Sequence, residues 1–174
     1  GADLSAGTDN GDGSWTLTPD QLTDLEITPP VDFSGEFDLS ITATTTEGDG
    51  GDTATTTGTI SVTVDGVADG AIIDMSDASG FEDTVIPLEI DGTANDASED
   101  VSISIDGIPD GATLTYVDGE GATQTINISD GSVELTPDQL NDLSITPPEN
   151  SDGDFALDVA VTTTDGDSSS TTNS

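Results

Sequence analysis

Leu17-Thr18-Pro19-Asp20-Gln21-Leu22 recurs as Leu135-Thr136-Pro137-Asp138-Gln139-Leu140, and Ile27-Thr28-Pro29-Pro30 recurs as Ile145-Thr146-Pro147-Pro148. The offsets agree, 135 − 17 = 118 and 145 − 27 = 118, so the chain carries two copies of one unit. Phe37/Phe155, Leu39/Leu157, Ile41/Val159 and the Thr triplets at 44–46 and 162–164 keep the same register. Upstream, Gly1-Ala2-Asp3-Leu4 aligns with Gly111-Ala112-Thr113-Leu114 at an offset of 110, which puts about 118 − 110 = 8 extra residues in the second copy, around Tyr116 to Thr125. The first copy has nothing equivalent to residues 71–110, and the second stops ahead of the counterpart of residues 58–64. The expected domains are therefore 1–66, the C-terminal part of one repeat, and 67–174, a second repeat without its last strand. Two explanations stand: a cut from a longer array, or strands supplied by neighbouring molecules through β-augmentation.

Working outward from the repeat, the segments on either side of each copy alternate apolar and polar residues with period two and are rich in Thr, Val and Ile. In the first copy this predicts strands near 15–18, 25–28, 37–46 and 53–64. In the second it predicts strands near 84–90, 101–105, 112–117, 124–129, 133–135, 143–146 and 155–164, with a last piece from Ser168. Asp106-Gly107, Asp118-Gly119 and Asp130-Gly131 punctuate them as turns. Only the two TPDQL segments have a helical character, one turn long. About seven short antiparallel strands in roughly 110 residues point to an all-β chain of tandem immunoglobulin-like sandwiches, both copies incomplete as given.

Charge narrows the function. The chain has 37 Asp plus Glu and no Lys, Arg or His, where an ordinary chain devotes roughly a tenth of its residues to Lys and Arg. Salt bridges between side chains are excluded, so each carboxylate must face water, a hydrogen-bond donor or a metal ion. A net charge of −37 excludes nucleic acid and anionic membrane faces as partners, since both need cations to neutralise phosphate. No apolar run is long enough for direct membrane insertion by a helix. With no Cys there is no disulfide, which leaves metal binding as the one available cross-link. Halophilic surface acidity is the plainer explanation of the charge, but the complete loss of all three basic residue types goes beyond acid enrichment.

The run ITPPVDFSGEFDLSITATTTEGDGGDTATTTGTISVTVDGVAD, followed by SGFEDTVIPLEI, VSISIDGIPDGATL and LTPDQLNDLSITPP, resembles the tandem cadherin-like/Ig-like extender repeats of large bacterial RTX adhesins. The resemblance covers essentially the whole chain. It implies a secreted, calcium-dependent spacer at the extracellular bacterial cell surface, whose partners are neighbouring repeats of the same chain, or identical subunits in a fibre. The adhesion target is not implied. The glycine-rich calcium nonapeptide of that group is absent, Gly50-Gly51-Asp52-Thr53 being a lone partial match.

Ca²⁺ takes six to eight oxygen ligands, and the acidic stretch 64–84, read as the handover between repeats, is the natural place for it. The expected ligands there are Asp65, Asp69, Glu82 and Asp83. The Glu82-Asp83 pair resembles the glutamate that cadherin-type repeats place at the top of a domain, and Asp65-Gly66-Val67-Ala68-Asp69 stands where such repeats have linker aspartates. Asp32 and Glu36 from the first copy, and Asp106, Asp110, Asp165 and Asp167 from the second, complete the expected set. A second cluster, Asn95-Asp96-Ala97-Ser98-Glu99-Asp100, is expected at the far pole with Asp152 and Asp154. Asp9-Asn10-Gly11-Asp12-Gly13 looks superficially like an EF-hand loop but has glycines at its third and fifth positions, so it reads as a turn.

Catalysis has little to work with. Only paired carboxylates remain, without an Asp-Thr-Gly or Asp-Ser-Gly protease signature, so the chain is not expected to be an enzyme. Trp15, with Phe33, Phe37 and Leu39, reads as core and not as a sugar platform, and the Thr runs read as solvent-facing strand positions. Three readings remain: a calcium-stiffened extender, a subunit of an extracellular fibre built by strand exchange, or a ligand-binding adhesin domain, the last supported only by the longer loop near Val117 to Thr125.

Overall fold

The computed structural model describes all residues from Gly1 to Ser174. The chain is all-β and divides into two compact units, Gly1–Gly66 and Val67–Ser174.

The second unit has ten strands: β7 (Ile72–Met75), β8 (Ile86–Pro87), β9 (Ile90–Thr93), β10 (Asp100–Asp106), β11 (Thr113–Val117), β12 (Thr123–Ile126), β13 (Val133–Leu135), β14 (Ser144–Thr146), β15 (Asp158–Asp165) and β16 (Ser168–Asn173). One antiparallel sheet runs β13-β10-β15-β16, another β12-β11-β14-β8, and β7 pairs with β9. Period-two patterning sets which faces meet: along β10, Ile103 and Ile105 are buried between exposed or half-buried neighbours, and β15 buries Val159, Val161 and Thr163 the same way. The two four-stranded sheets share one apolar core, with Ile103, Ile105, Val159 and Val161 from the first and Leu114 and Ile145 from the second, each at most 1% exposed. Gly92 of β9 lies so close to Val161 that an added Cβ would sit 2.8 Å from its Cγ2, which explains why this buried strand position carries no side chain.

Two details depart from the expected strands. The run 84–90, read as one strand, is two: Ile86 pairs with Ile145, whereas Ile90 pairs with Met75. Pro87 cannot donate to a ladder, and the chain changes partner around it, Leu88 N–H donating instead to Leu143 O at 2.9 Å. Ile72–Met75, read as part of an acidic linker, is a strand, because Ile73 and Ile90 are half-buried against the core.

The first unit contains β1 (Asp3–Leu4), β2 (Thr8–Asp9), β3 (Trp15–Thr16), β4 (Ile27–Thr28) and the hairpin β5 (Gly35–Thr46) with β6 (Thr53–Val64). They form three separate two-stranded sheets, β1-β4, β2-β3 and β5-β6. The repeat is structural as well as textual. Leu4 pairs with Ile27 as Leu114 pairs with Ile145. Pro19–Leu22 and Pro137–Leu140 are both single 3-10 turns, in which the Gln21 and Gln139 side chains accept from the backbone N–H of Thr18 and Thr136 at 2.8 and 2.9 Å. Left-handed φ angles fall at matching positions: Asp24 with Asp142, Asp32 with Asn150, Gly13 with Gly131. Asp and Asn are the side chains that tolerate this conformation best after glycine. The units differ in burial. No side chain of the first unit is buried, and Ile41 and Ile60 are 45% and 51% exposed; its best apolar contact is an edge-to-face pair, Phe33 on Phe37, 5.6 Å between centroids.

The extra loop of the second unit closes on itself. Asp118 accepts from Ala122 N–H at 2.9 Å, Gln124 Nε2 at 2.7 Å and Glu120 N–H at 3.0 Å.

Two predictions follow from this packing and this loop. Ile105→Ala is expected to cost about 2–5 kcal/mol, whereas Ile41→Ala, at a half-exposed site, is expected to cost about 1 kcal/mol or less; amide hydrogen exchange resolved by unit reads both. The Ala122 N–H first, then the Gln124 side chain, hold the Asp118 carboxyl below its ordinary value of 3.8. The folded protein therefore binds fewer protons there than the unfolded chain, so this contribution is complete above the unfolded value and is lost as pH falls through the folded one. In urea titrations, the stability advantage of the native protein over Asp118→Asn should shrink as pH is lowered from about 6 to about 3.

Candidate metal centre

The entry segment of the second unit, Ala68-Asp69-Gly70, is fastened by four hydrogen bonds. Ala68 N–H donates to Ser168 Oγ at 2.9 Å, Asp69 N–H donates to Glu99 Oε1, the Thr163 hydroxyl donates to Asp69 O, and Asn95 Nδ2 donates to Gly70 O. The register of β7 on β9, Ile72 opposite Thr93, explains the meeting: in an antiparallel pair, residues just before one strand lie beside those just after the other. The segment 95–100 is thereby brought to Asp69.

Two carboxylates meet here, and a third accepts from the backbone beside them. Oxygens of Asp69 and Asp96 lie within 4.8 Å of each other, and Glu99 reaches the Asp69 backbone. Asp96 is held in place by Ser98, whose N–H donates to Oδ1 at 2.6 Å and whose hydroxyl donates to the same oxygen; the hydroxyl first and the N–H second lower its pKa below the usual 3.8. Glu99 is the unusual member. It is 8% exposed, and its Oε2 is buried without any hydrogen-bond partner. A buried carboxylate oxygen with no donor is costly, and the chain has no cationic side chain to offer it. An all-oxygen, anionic donor set suits a hard divalent cation such as Ca²⁺ or Mg²⁺ and not a soft one; Asp69 and Asp96 are the carboxylates of this unit that would hold it.

Of the expected ligands, Asp69 stands in this centre. Asp165 ends β15, Asp167 lies in the turn that follows, and Ser168, which opens β16, holds Ala68. Glu82 and Asp83 are elsewhere: Asp83 Oδ1 accepts from Asn150 N–H at 3.0 Å, and Glu82 lines a cleft of about 670 Å³ with Asp152 and Asp154. Asp106 pairs with Asp158 at the opposite end of β15 from Thr163, which touches Asp69. Five residues of strand separate those levels, roughly 17 Å. Asp110 lies in the loop after β10, at that same distant end. In the first unit Asp32, Glu36 and Asp65 sit at one end of the β5–β6 hairpin: Glu36 accepts from the Thr63 hydroxyl at 3.3 Å, and Asp65 follows Val64, the partner of Gly35.

The cluster 95–100 was expected at the far pole with Asp152 and Asp154, and the structure reverses this. It lies at the entry segment, while Asp152 and Asp154 keep company with Glu82. Residues 64–84 are not all linker: once Ile72–Met75 pairs with β9, the segment after β9 comes to the entry end, where Asp165 and Asp167 also lie as expected. Asp96 and Glu99 were thus missed as companions of Asp69. Their usable signal was the Asp96-Ala97-Ser98-Glu99 run directly after a strand.

No known family model, curated protein or solved structure matches this chain. Its functional reading therefore rests on its own residues.

Glu99→Gln removes the charge from a buried carboxylate whose second oxygen has no donor. In EGTA it is expected to raise the stability of the second unit by about 1 kcal/mol, a shift of about 4–8 °C in Tm, as measured by thermal denaturation followed at Tyr116. In calcium the order should invert.

Proposed function

We propose that this chain is a non-catalytic, calcium-stiffened extender module of a bacterial surface adhesin, acting outside the cell as a spacer. The observation that carries the reading is the buried, unpartnered oxygen of Glu99, a carboxylate whose other oxygen accepts from the Asp69 N–H, together with the close Asp69 and Asp96 carboxylates at the entry of the second unit. The finer fold reading is immunoglobulin-like, in the cadherin-like sense; a four-strand sheet β13-β10-β15-β16 opposed to β12-β11-β14-β8, with all pairs antiparallel, supports it.

The mechanism is electrostatic. Without a cation, the Asp69 and Asp96 carboxylates repel, and the entry segment is held to the unit only by hydrogen bonds. A bound Ca²⁺ supplies the missing positive charge and ties the entry segment to the 95–100 loop, which removes backbone freedom from the residues that join one repeat to the next. A spacer needs this property, because a rod transmits reach and force only when its joints are stiff. The 118–122 loop, the one departure from the repeat pattern, is closed by Asp118 on its own backbone, which favours a spacer over a ligand-binding domain.

Extracellular calcium modules work at roughly 10⁻⁴–10⁻³ M, and calcium at about tenfold above its dissociation constant stabilises the folded state by about 1.4 kcal/mol. Calorimetric titration of the EGTA-treated chain should show binding in this range, with a matching rise in Tm. Asp69→Asn with Asp96→Asn should abolish both. Scattering measurements should show a larger maximum dimension in calcium than in EGTA. A chain whose Tm, heat of titration and dimension all ignore calcium would end the calcium reading.

A further inference from the structure

Asn127-Ile128-Ser129 is the one Asn-x-Ser/Thr run in the sequence, the pattern at which N-linked sugars are attached. It follows β12 directly, and neither the metal centre nor the spacer role uses it. Its backbone carries on the alternation of the strand: Ile126 is buried, Asn127 exposed, Ile128 half-buried against the core and Ser129 exposed. Residues two apart in an extended chain lie on one side, about 6–7 Å from each other, so the amide and the hydroxyl of the pattern face outward together. A tight turn fixes the end of the run. Ser129 and Ser132 exchange backbone hydrogen bonds at 3.0 and 2.9 Å, around Asp130 and Gly131 at φ 51° and 77°.

Hydrogen bonding sets this asparagine apart. Asn10 Nδ2 donates to Ser14 Oγ at 2.9 Å, Asn141 Nδ2 donates to Val117 O at 2.9 Å, and Asn95 Nδ2 donates to Gly70 O. The Asn127 amide and the Ser129 hydroxyl enter no hydrogen bond of the chain. Asn127 also borders an open cleft of about 280 Å³, lined as well by Pro109, Asp110, Thr113 and Thr125. That volume falls below the roughly 300–1,000 Å³ of sites that hold drug-sized ligands, so the cleft has room for one sugar ring fixed at Asn127 and too little for a free oligosaccharide. The sheet edge points the same way. β12 is the outer strand of its sheet and pairs with β11 alone. Natural edges are guarded by Lys or Pro; Thr123–Ile126 has neither, and the chain has no Lys at all. A bulky, hydrated group at the end of this strand guards the edge without adding charge.

We propose that Asn127 is an acceptor for an N-linked sugar, the chain being the substrate of a transferase that uses a nucleotide- or polyprenyl-diphosphate-activated sugar. Asn127 Nδ2 forms a bond to the anomeric carbon of the sugar, and the bond from that carbon to the diphosphate oxygen breaks. The diphosphate leaves with the electron pair, and Nδ2 gives up one proton to a base of the transferase. The Ser129 hydroxyl, on the same outward side, is the group by which the transferase recognises the run. The proposal goes beyond the spacer reading and does not depend on calcium.

The folded chain and a free peptide of residues 121–133 are each treated with UDP-glucose and an N-glycosyltransferase specific for Asn-x-Ser/Thr, and intact mass is followed with time. The expected result is one hexose per chain, added at a rate within about tenfold of the peptide's, because a site reached only through global unfolding would be slowed by about 10³-fold or more. Trypsin has nothing to cleave here, so an Asp/Glu-specific protease is used to locate the sugar. Asn127→Gln and Ser129→Ala should stay unmodified, whereas Ser129→Thr should be modified like the parent chain. A folded chain modified more than about tenfold more slowly than the peptide overturns the proposal. So does a peptide of this sequence that the transferase ignores, or a hexose carried by the Asn127→Gln chain.

Discussion

The structure depends on one constraint: 37 carboxylates must be accommodated without a single basic side chain. In most proteins a carboxylate near the core is met by Arg or Lys. Here the donors are backbone N–H groups, hydroxyls and side-chain amides, and the chain uses them at several of its acidic turns. Asp12 is held by Ser14, Asp96 by Ser98, and Asp118 by Ala122 and Gln124. In each case hydrogen bonds to the charged form lower the carboxyl pKa, the third of the usual causes of such shifts and the one available without cations. The acids thus double as turn-formers, since the side chain that carries the charge also closes the loop.

Glu99 marks where that strategy reaches its limit. One of its oxygens is served by the Asp69 N–H, and the other is buried with nothing left to serve it. An exposed carboxylate is satisfied by water, and a cluster of exposed acids needs no explanation. A buried one in a chain without cations does, which is why this glutamate separates the centre at Asp69 from the many other acidic loops.

Much of the architecture was legible in the residues. The 118-residue repeat gave paired 3-10 turns at Pro19–Leu22 and Pro137–Leu140, and period-two runs such as Val101 to Ile105 gave buried central strands. These are local signals: the side chains that define them lie within one turn or one strand. The poles were not legible, because they depend on which strands pair across the chain. Ile72–Met75 is short, lies among acids and carries no turn signal of its own, so only its pairing with Ile90–Thr93 reveals that Asp69 faces Asn95 and Glu99 and not Glu82. The same blindness applied to the Thr84 to Ile90 run, where the switch of partner at Pro87 depends on Leu143, more than fifty residues away.

The two units show how far a core depends on non-local supply. Their shared sequence blocks build matching 3-10 turns, matching left-handed residues and the matching pairs Leu4–Ile27 and Leu114–Ile145, yet only the second buries any side chain. Local chemistry is therefore sufficient for the repeat's shape and insufficient for its closure. Closure comes from Ile86, Ile103 and Ile105, which arrive from a different part of the chain and convert half-exposed apolar faces into a core. Since hydrophobic burial is the term that offsets the entropy of ordering the chain, the stability of the second unit rests on a core shared between its opening stretch, which gives Ile86, Ile103, Ile105 and Ile108, and the later strands and loops, which give the other eight buried members.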